Sequence, residues 1–439
     1  MTVDPSALDT SGVAQLCADL IRIDTSNFGD DPRTKPERPA ADFVVEYLRR
    51  YGYEPIIIES KPGRANVVLR VPGTDPGLPA LVVHGHLDVV PAVAEDWTVD
   101  PFGGIIKDGY VWGRGAVDMK NMDAMMLTVL ADMKERGWQP QRDLIVAFFA
   151  DEEAGGVWGA QWMAEHHPEL FEGATEAISE VGGYSVDIEG QTVYLIQTGE
   201  KGMDWLTLSA RGRAGHGSQV NEDNAITKLA AAVARIGERK WPLQLTDTVR
   251  SLLVTVSELT GLPFSEDPED LAALVRSLGP AAPFVGATLR TQSNPSQLDG
   301  GYKANVIPAT AQATVDMRPI PGTEEEAHQT IRDLAGAGVD VSSIVRYDGF
   351  EVPFDAPVVE RMSEALLVED PTAIVAPYML SGGTDNKQLL PLGIQGYGFV
   401  PMALPADFNF SAMFHGNDER VPISALEFGT RVLARFLAG

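Results

Sequence analysis

Apolar residues fall into three rhythms along this chain, and each rhythm predicts a different element. Near the start Val13, Leu16, Cys17, Leu20 and Ile21 recur at i, i+3, i+4, i+7 and i+8, the stripe of an amphipathic helix. Residues 41–49 repeat that pattern. Leu81-Val82-Val83 and the run Leu144–Phe149 do not alternate; they are apolar on both faces, as strands buried between helix layers are. Between them Met122, Met125, Met126, Val129, Leu130 and Met133 return at helical spacing, stopped by Gly137, and this stripe reads as core packing. Strand, helix, strand in that order predicts an α/β unit.

From about Met203 the rhythm becomes strict alternation, over residues 205–210 and again over 312–317, which predicts half-exposed antiparallel strands. A smaller α+β domain is therefore expected inside the α/β one. The expected organisation is a catalytic domain formed by residues 1–201 and 353–439, interrupted by an insert over 202–352. Within the insert, residues 242–297 are irregular, with a helical piece at 267–278 and several Gly and Pro breaks, and no task can be read for them. The α/β texture returns at 358–366 and closes with an amphipathic helix over 423–437. There is no internal repeat, low-complexity tract or heptad run.

Length and composition narrow the function. At 439 residues the chain is too long for one ordinary core, and 44% hydrophobic with 22% charged residues is ordinary usage for a folded protein. Charge is the unusual quantity: 34 Lys and Arg against 62 Asp and Glu leave a net −28, which repels a phosphate backbone and excludes nucleic acid as a partner. Cys17 is the only cysteine, so an internal disulfide, a Cys-rich zinc site and an iron-sulfur site are excluded. Any metal must sit on His and carboxylates. No stretch reaches the roughly 18 apolar residues of a membrane helix, and no basic region followed by an apolar run opens the chain. The expected location is the cytoplasm, with no membrane partner.

The first buried strand runs into His84-Gly85-His86-Leu87-Asp88, and strand alternation puts His86 and Asp88 on one side, where the Asp can hold the imidazole. The second ends in Asp151-Glu152-Glu153. Taken singly, an H-x-D occurs by chance and acids at a strand end are often merely solvated. Their shared position matters more, because ligands of open α/β sheets bind at the carboxyl ends of strands. Asp118, just before the Met-striped helix, and Glu180, at a further strand end, add to the same crevice. Converging acids repel unless cations neutralise them, and a dinuclear metal site is the simplest answer.

In this order the pieces resemble the zinc metallopeptidase family of aminoacylase, carboxypeptidase S, acetylornithine deacetylase and succinyl-diaminopimelate desuccinylase, over nearly the whole chain. The marks are His86-Leu87-Asp88, residues 113–120, Asp151-Glu152-Glu153, Glu180-Val181-Gly182-Gly183, Gly215-His216-Gly217-Ser218, Asp316-Met317-Arg318, Ser381-Gly382-Gly383-Thr384-Asp385 and His415-Gly416-Asn417-Asp418-Glu419. The resemblance implies a zinc-peptidase-like catalytic domain with a central mixed sheet, and an inserted α+β lid and dimerisation domain. It implies two Zn2+ per chain, with Co2+ or Mn2+ as substitutes: Asp118 bridging, His86 and Glu180 on one ion, Glu153 and His415 on the other. Glu152 is then the general base that generates a metal-bound hydroxide, and Asp88 orients His86. His216 of a homodimer would reach the neighbouring subunit's site and stabilise the oxyanion. Asn305 and Arg318 would hold the substrate, with the backbone amides of Gly382, Gly383 and Thr384 beside it. The matching Asp118–Met119 peptide is cis in relatives.

The implied activity is hydrolysis of a dipeptide, small peptide or N-acyl amino acid, with a biosynthetic deacylase or desuccinylase as the alternative using the same chemistry. The long 242–297 segment favours the carboxypeptidase S or dipeptidase branch. Lys387, where many relatives carry Arg, and Asp418, which interrupts the usual Asn-Glu pair, leave that branch open. A non-catalytic metal-binding protein is the remote alternative, and it has no use for Glu152. A phosphoesterase would need a D-x-H order, a serine hydrolase a G-x-S-x-G elbow and a kinase a G-x-x-x-x-G-K loop, all missing. His84 reads as a packed, hydrogen-bonded neighbour of His86, and His166, His167 and His328 as solvent-facing.

Overall fold

The two unbroken apolar runs pair with each other. In the computed structural model, which describes residues 8–439, Ala80–His86 and Leu144–Phe149 are parallel strands in register from Leu81 opposite Leu144 to His86 opposite Phe149, with every residue buried. Successive side chains of a strand point to opposite faces, and here both faces are covered. Leu81, Val83, Leu144, Val146 and Phe148 join one core with the Met-striped helix Lys120–Arg136. Ala80, Val82, Ile145, Ala147 and Phe149 join a second with Met163, Phe171 and Ile394. This double burial is why neither run alternates.

These strands lie inside a ten-stranded mixed sheet. Ala174–Ser179 continues it in parallel beside Ala80–His86, and Gln395–Gly398 runs parallel to Ala174–Ser179. Arg64–Val71 pairs antiparallel with Leu144–Phe149 and with Ile56–Lys61 at one edge. Toward the other edge Gln191–Glu200 takes Ile374–Leu380 in parallel. The helices Val13–Ile21, Lys120–Arg136 and Ile423–Ala438 pack against one another. Gly137 ends the Met-striped helix in a left-handed conformation, φ 67°, which glycine adopts without a Cβ penalty.

The alternating segments form a separate antiparallel sheet in the order Gln292–Gly300, Thr310–Arg318, Met203–Arg211, Val339–Tyr347. Its inner residues, among them Leu206, Leu208, Ala313 and Val315, make a small core with the helices Ala225–Gly237 and Glu324–Ala335. His328 belongs to that inner side: it is buried and its Nδ1 lies 2.8 Å from Asp204 Oδ2. The expectation that it faces solvent is thus corrected; three glutamates at 324–326 mark the helix start, while the helix turns His328 toward the sheet. His166 is exposed and His167 half-buried.

The 242–297 segment behaves differently from the rest of the insert. Its helices Asp247–Thr260, Pro268–Arg276 and Ala282–Gly286 place Val249, Leu253, Val256, Leu271, Leu274 and Val285 in the core of the main domain, not in the small one. The chain therefore leaves the small sheet, crosses back to the main body and returns. No helix among the described residues is long and apolar enough to cross a membrane.

Candidate active site

Strand ends deliver the chemistry. His86 closes its strand, Glu180 follows Ala174–Ser179, and Asp151 follows Leu144–Phe149 in a left-handed conformation, φ 67°, that turns Glu152 and Glu153 back over the sheet. Val181 and His415 also have positive φ, 55° and 57°. Such a value is tolerated by Asp and His but is an outlier for a β-branched residue such as Val181, and outliers persist where surrounding structure over-determines the backbone. Asp118 is held by its own amide: the buried carboxylate of Glu419 accepts from the N–H groups of Gly115 (3.1 Å), Val117 (2.7 Å) and Asp118 (3.2 Å) and pairs with Arg114 at 2.6 Å. The Asp118–Met119 peptide is cis.

Two sets of donor atoms meet at Asp118: His86, Asp118 and Glu180 form one, and Asp118, Glu153 and His415 the other. Asp118 Oδ1 lies 3.1 Å from His86 Nε2, and its Oδ2 lies 3.3 Å from His415 Nε2. Glu180 Oε2 is 3.7 Å from His86 Nε2, and Glu153 Oε2 is 3.2 Å from His415 Nε2. Two ligands about 2.0–2.1 Å from a tetrahedral ion stand roughly 3.4 Å apart, so this spacing and this His–carboxylate chemistry fit a divalent cation in each set. Glu152 Oε2 stands 3.9 Å from His86 Nε2 and belongs to neither set.

Electrostatics agree with that fit. Burial, reinforced by the Asp118 charge, pushes Glu180 up to about 8 and raises Glu153 as well. Glu152 rises well above the ordinary range through burial and the neighbouring Glu180. His415 is pushed up to about 10 by its hydrogen bonds to Asp118 and Glu153. Burial alone would lower His86, but Glu180, Asp118 and Glu152 outweigh it and raise it well above its usual value. Four carboxylates, Asp118, Glu152, Glu153 and Glu180, face only two imidazoles, so the cluster is short of positive charge.

Asp118, Glu152, Glu153, Glu180 and His415 line a cavity of about 370 Å³ together with Arg318, Gly382, Gly383 and Thr384. Trp205, Phe284 and Phe414 supply an apolar wall. A Cβ on Gly383 would meet the end of the Lys387 side chain, which would have to give way. Two expectations need correction. Thr384 reaches the wall, but its amide donates to the buried carboxylate of Glu200 at 3.0 Å and its hydroxyl to the same group, so it has no amide to offer a substrate. Asp88 holds His86 through its carbonyl oxygen, 3.0 Å from Nδ1, while its carboxylate is 3.6 Å from that nitrogen and accepts from the amides of Glu152 and Glu153 instead. His84, as expected, is buried and bonded, its Nε2 2.9 Å from Asn386 Oδ1.

His216 and Asn305 lie apart from these residues. They sit on the paired strands Gly215–His216 and Val306–Ile307 of the insert and the turn before the latter, exposed and outside the cavity wall. Residues that sequence reasoning passed over are Asn27 and Arg64, buried beneath the acids, and Phe284, on the segment that returns to the main core. Asn27 had no signal beyond a polar run after a helix.

A mixed sheet carrying two His–carboxylate sets that share Asp118 is the site of a protein that binds divalent cations. Residues 82–439 match the model of peptidase family M20/M25/M40, and the chain belongs to that family. It is 28% identical over 417 residues to aminoacylase-1 of Homo sapiens, spanning 92% of this chain and 90% of that one. It is 30% identical over 377 residues to probable carboxypeptidase S-like 2 of Dictyostelium discoideum, spanning 80% and 70%. Among solved structures, an M20 family metallo-carboxypeptidase from Sulfolobus solfataricus superposes with a TM-score of 0.76 at 16% identity, covering 97% of this chain and 98% of that one. The protein is a metal-dependent hydrolase of C–N bonds.

Proposed function

We propose that the protein hydrolyses the amide bond of a dipeptide, small peptide or N-acyl amino acid at a centre of two zinc ions, with Glu152 moving the proton. One observation carries this reading: both donor sets close without Glu152, yet this carboxylate is held at the same centre, 3.9 Å from His86. A metal store has no use for it; hydrolysis requires a base. His86 and Glu180 would hold one cation, Glu153 and His415 the other, and Asp118 both. Once bound, such ions polarise a carbonyl and ease the deprotonation of water.

Glu152 takes a proton from the attacking water on a carboxylate oxygen and delivers it to the amide nitrogen, which leaves as an amine. Belonging to neither donor set, Glu152 is free to carry that proton between the two transfers. Arg318 lines the cavity, and its planar fork fits a substrate carboxylate. Gly382 and Gly383 keep their stretch of wall free of side chains. For the oxyanion, His216 serves as donor to a second copy of this chain, which accounts for its place outside its own cavity. Exposed apolar side chains on the same insert, Val220, Ile226, Leu298 and Tyr302, support a homodimer contact there.

The test is a panel of dipeptides and N-acyl amino acids scored by released amine, with Glu152→Gln as the control. Glu152→Gln is expected to retain two metals per chain and lose about 10²–10⁴-fold in kcat. Unchanged turnover would assign the base elsewhere, and release from no amide in the panel would defeat the reading.

A further inference from the structure

Beneath the acids lies a buried polar network that neither donor set uses. Asn27, on the loop after the helix Val13–Ile21, donates through Nδ2 to Asp88 Oδ2 at 2.8 Å and to Asp151 Oδ1 at 3.1 Å. Its Oδ1 accepts from Arg64 Nη2 at 3.0 Å and from the Gly29 amide at 2.8 Å. Both hydrogens and the carbonyl of the amide are therefore engaged. Arg64, at the start of the strand Arg64–Val71, also reaches Asp151 Oδ1 at 3.1 Å and pairs with the buried Glu37.

The two carboxylates joined by Asn27 are the ones that shape the turn above. Asp88 Oδ1 and Oδ2 accept from the amides of Glu152 and Glu153, each at 3.1 Å, and Asp151 Oδ2 accepts from the Trp158 amide at 3.1 Å. Asp88 and Asp151 come from the ends of neighbouring parallel strands, where like charges repel. Two buried carboxylates at this separation persist only when donors lie between them, and the Asn27 amide and Arg64 guanidinium are those donors. Aspartate in place of Asn27 would add a third acid; an apolar residue would take one donor from each carboxylate, leaving Asp88 Oδ2 to the Glu153 amide and Asp151 Oδ1 to Arg64.

We propose that Asn27, braced by Arg64, is a positioning residue for Glu152 and Glu153: by tying Asp88 to Asp151 it fixes the turn that aims both glutamates at the centre. This rests on the role given above to Glu152, which Asn27 does not touch. The experiment uses the metal-loaded full chain carrying Asn27→Ala, Asn27→Ser or Arg64→Lys. Asn27→Ala is expected to lower kcat about 10- to 100-fold, the usual effect of losing a partner behind a metal ligand, with KM little changed. Loaded with Co2+, it should show an altered visible absorption, since Glu153 shares the displaced turn. Asn27→Ser keeps one donor and should recover part of the turnover. A folded Asn27→Ala with unchanged kcat and unchanged cobalt spectrum, differing only in melting temperature, would overturn the proposal. Should Asn27→Ala not fold, the Ser and Lys variants carry the same comparison. If the parent chain cleaves no amide, the hydrolytic reading falls while the cobalt spectra still decide whether Asn27 places the turn.

Discussion

Glu419 shows how one side chain can set the position of another that it never contacts through its own functional group. Its carboxylate accepts from the amides of Gly115, Val117 and Asp118 and from one guanidinium, and so places the backbone from which Asp118 projects. Burial pushes it up to about 7, with Arg114 and the amides working against that rise. Removing one partner of a buried ion pair leaves the other uncompensated. Glu419→Ala is thus expected to cost about 3–5 kcal/mol in urea unfolding and to lower bound metal per chain; full metal content at wild-type stability would contradict the role given to it. At this scale the sequence was readable where a residue type limits its own chemistry. Position at strand ends and before the Met-striped helix pointed to His86, Asp118, Glu153 and Glu180, while His415 and the division into two sets were implied only by the family resemblance. Apart from the Gly29 amide, the partners of Asn27 and Arg64 lie 27–124 positions away in the chain, and no local pattern records such pairings.

Elements were legible for a related reason. Runs apolar on both faces can only be central strands, and alternating runs can only have one wet face, so the two sheets could be told apart before any pairing was known. The 242–297 segment failed that test because a helix stripe says that one side is buried, not against which body. Lys201 marks the joint this created. Fully buried, it donates to the carbonyls of Ala287 and Arg290 at 3.0 and 2.6 Å and to Gln292 Oε1, fastening the end of Gln191–Glu200 to the close of the returning segment. Burial, aided by the nearby Arg318, pushes it down to about 7 from 10.5. Between those values the native ammonium gives up its proton while the unfolded one keeps it, so the unfolded chain binds more protons and stability rises with pH. The penalty is complete below pH 7 and relieved toward 10.5. Measured against Lys201→Met, the melting temperature of the parent should therefore climb as pH is raised from 7 to 10; parallel profiles would remove this account of the joint.

For the whole molecule, the role proposed for His216 would make activity a property of two chains. Each of His216→Ala and Glu152→Gln should be inactive alone. Co-expressed, they should regain about a quarter of wild-type turnover, because random pairing gives half mixed dimers with one intact site each. A monomer by light scattering, or no recovery, would confine the site to a single chain. The excursion of the chain between its two sheets has a mechanical corollary. A simple insert hangs from its host by two threads and can swing on them; here the polypeptide passes between the bodies near 201, 242, 290 and 349, so four threads must bend together. Any rotation of the small sheet against the main body would thereby be confined to an axis those threads share.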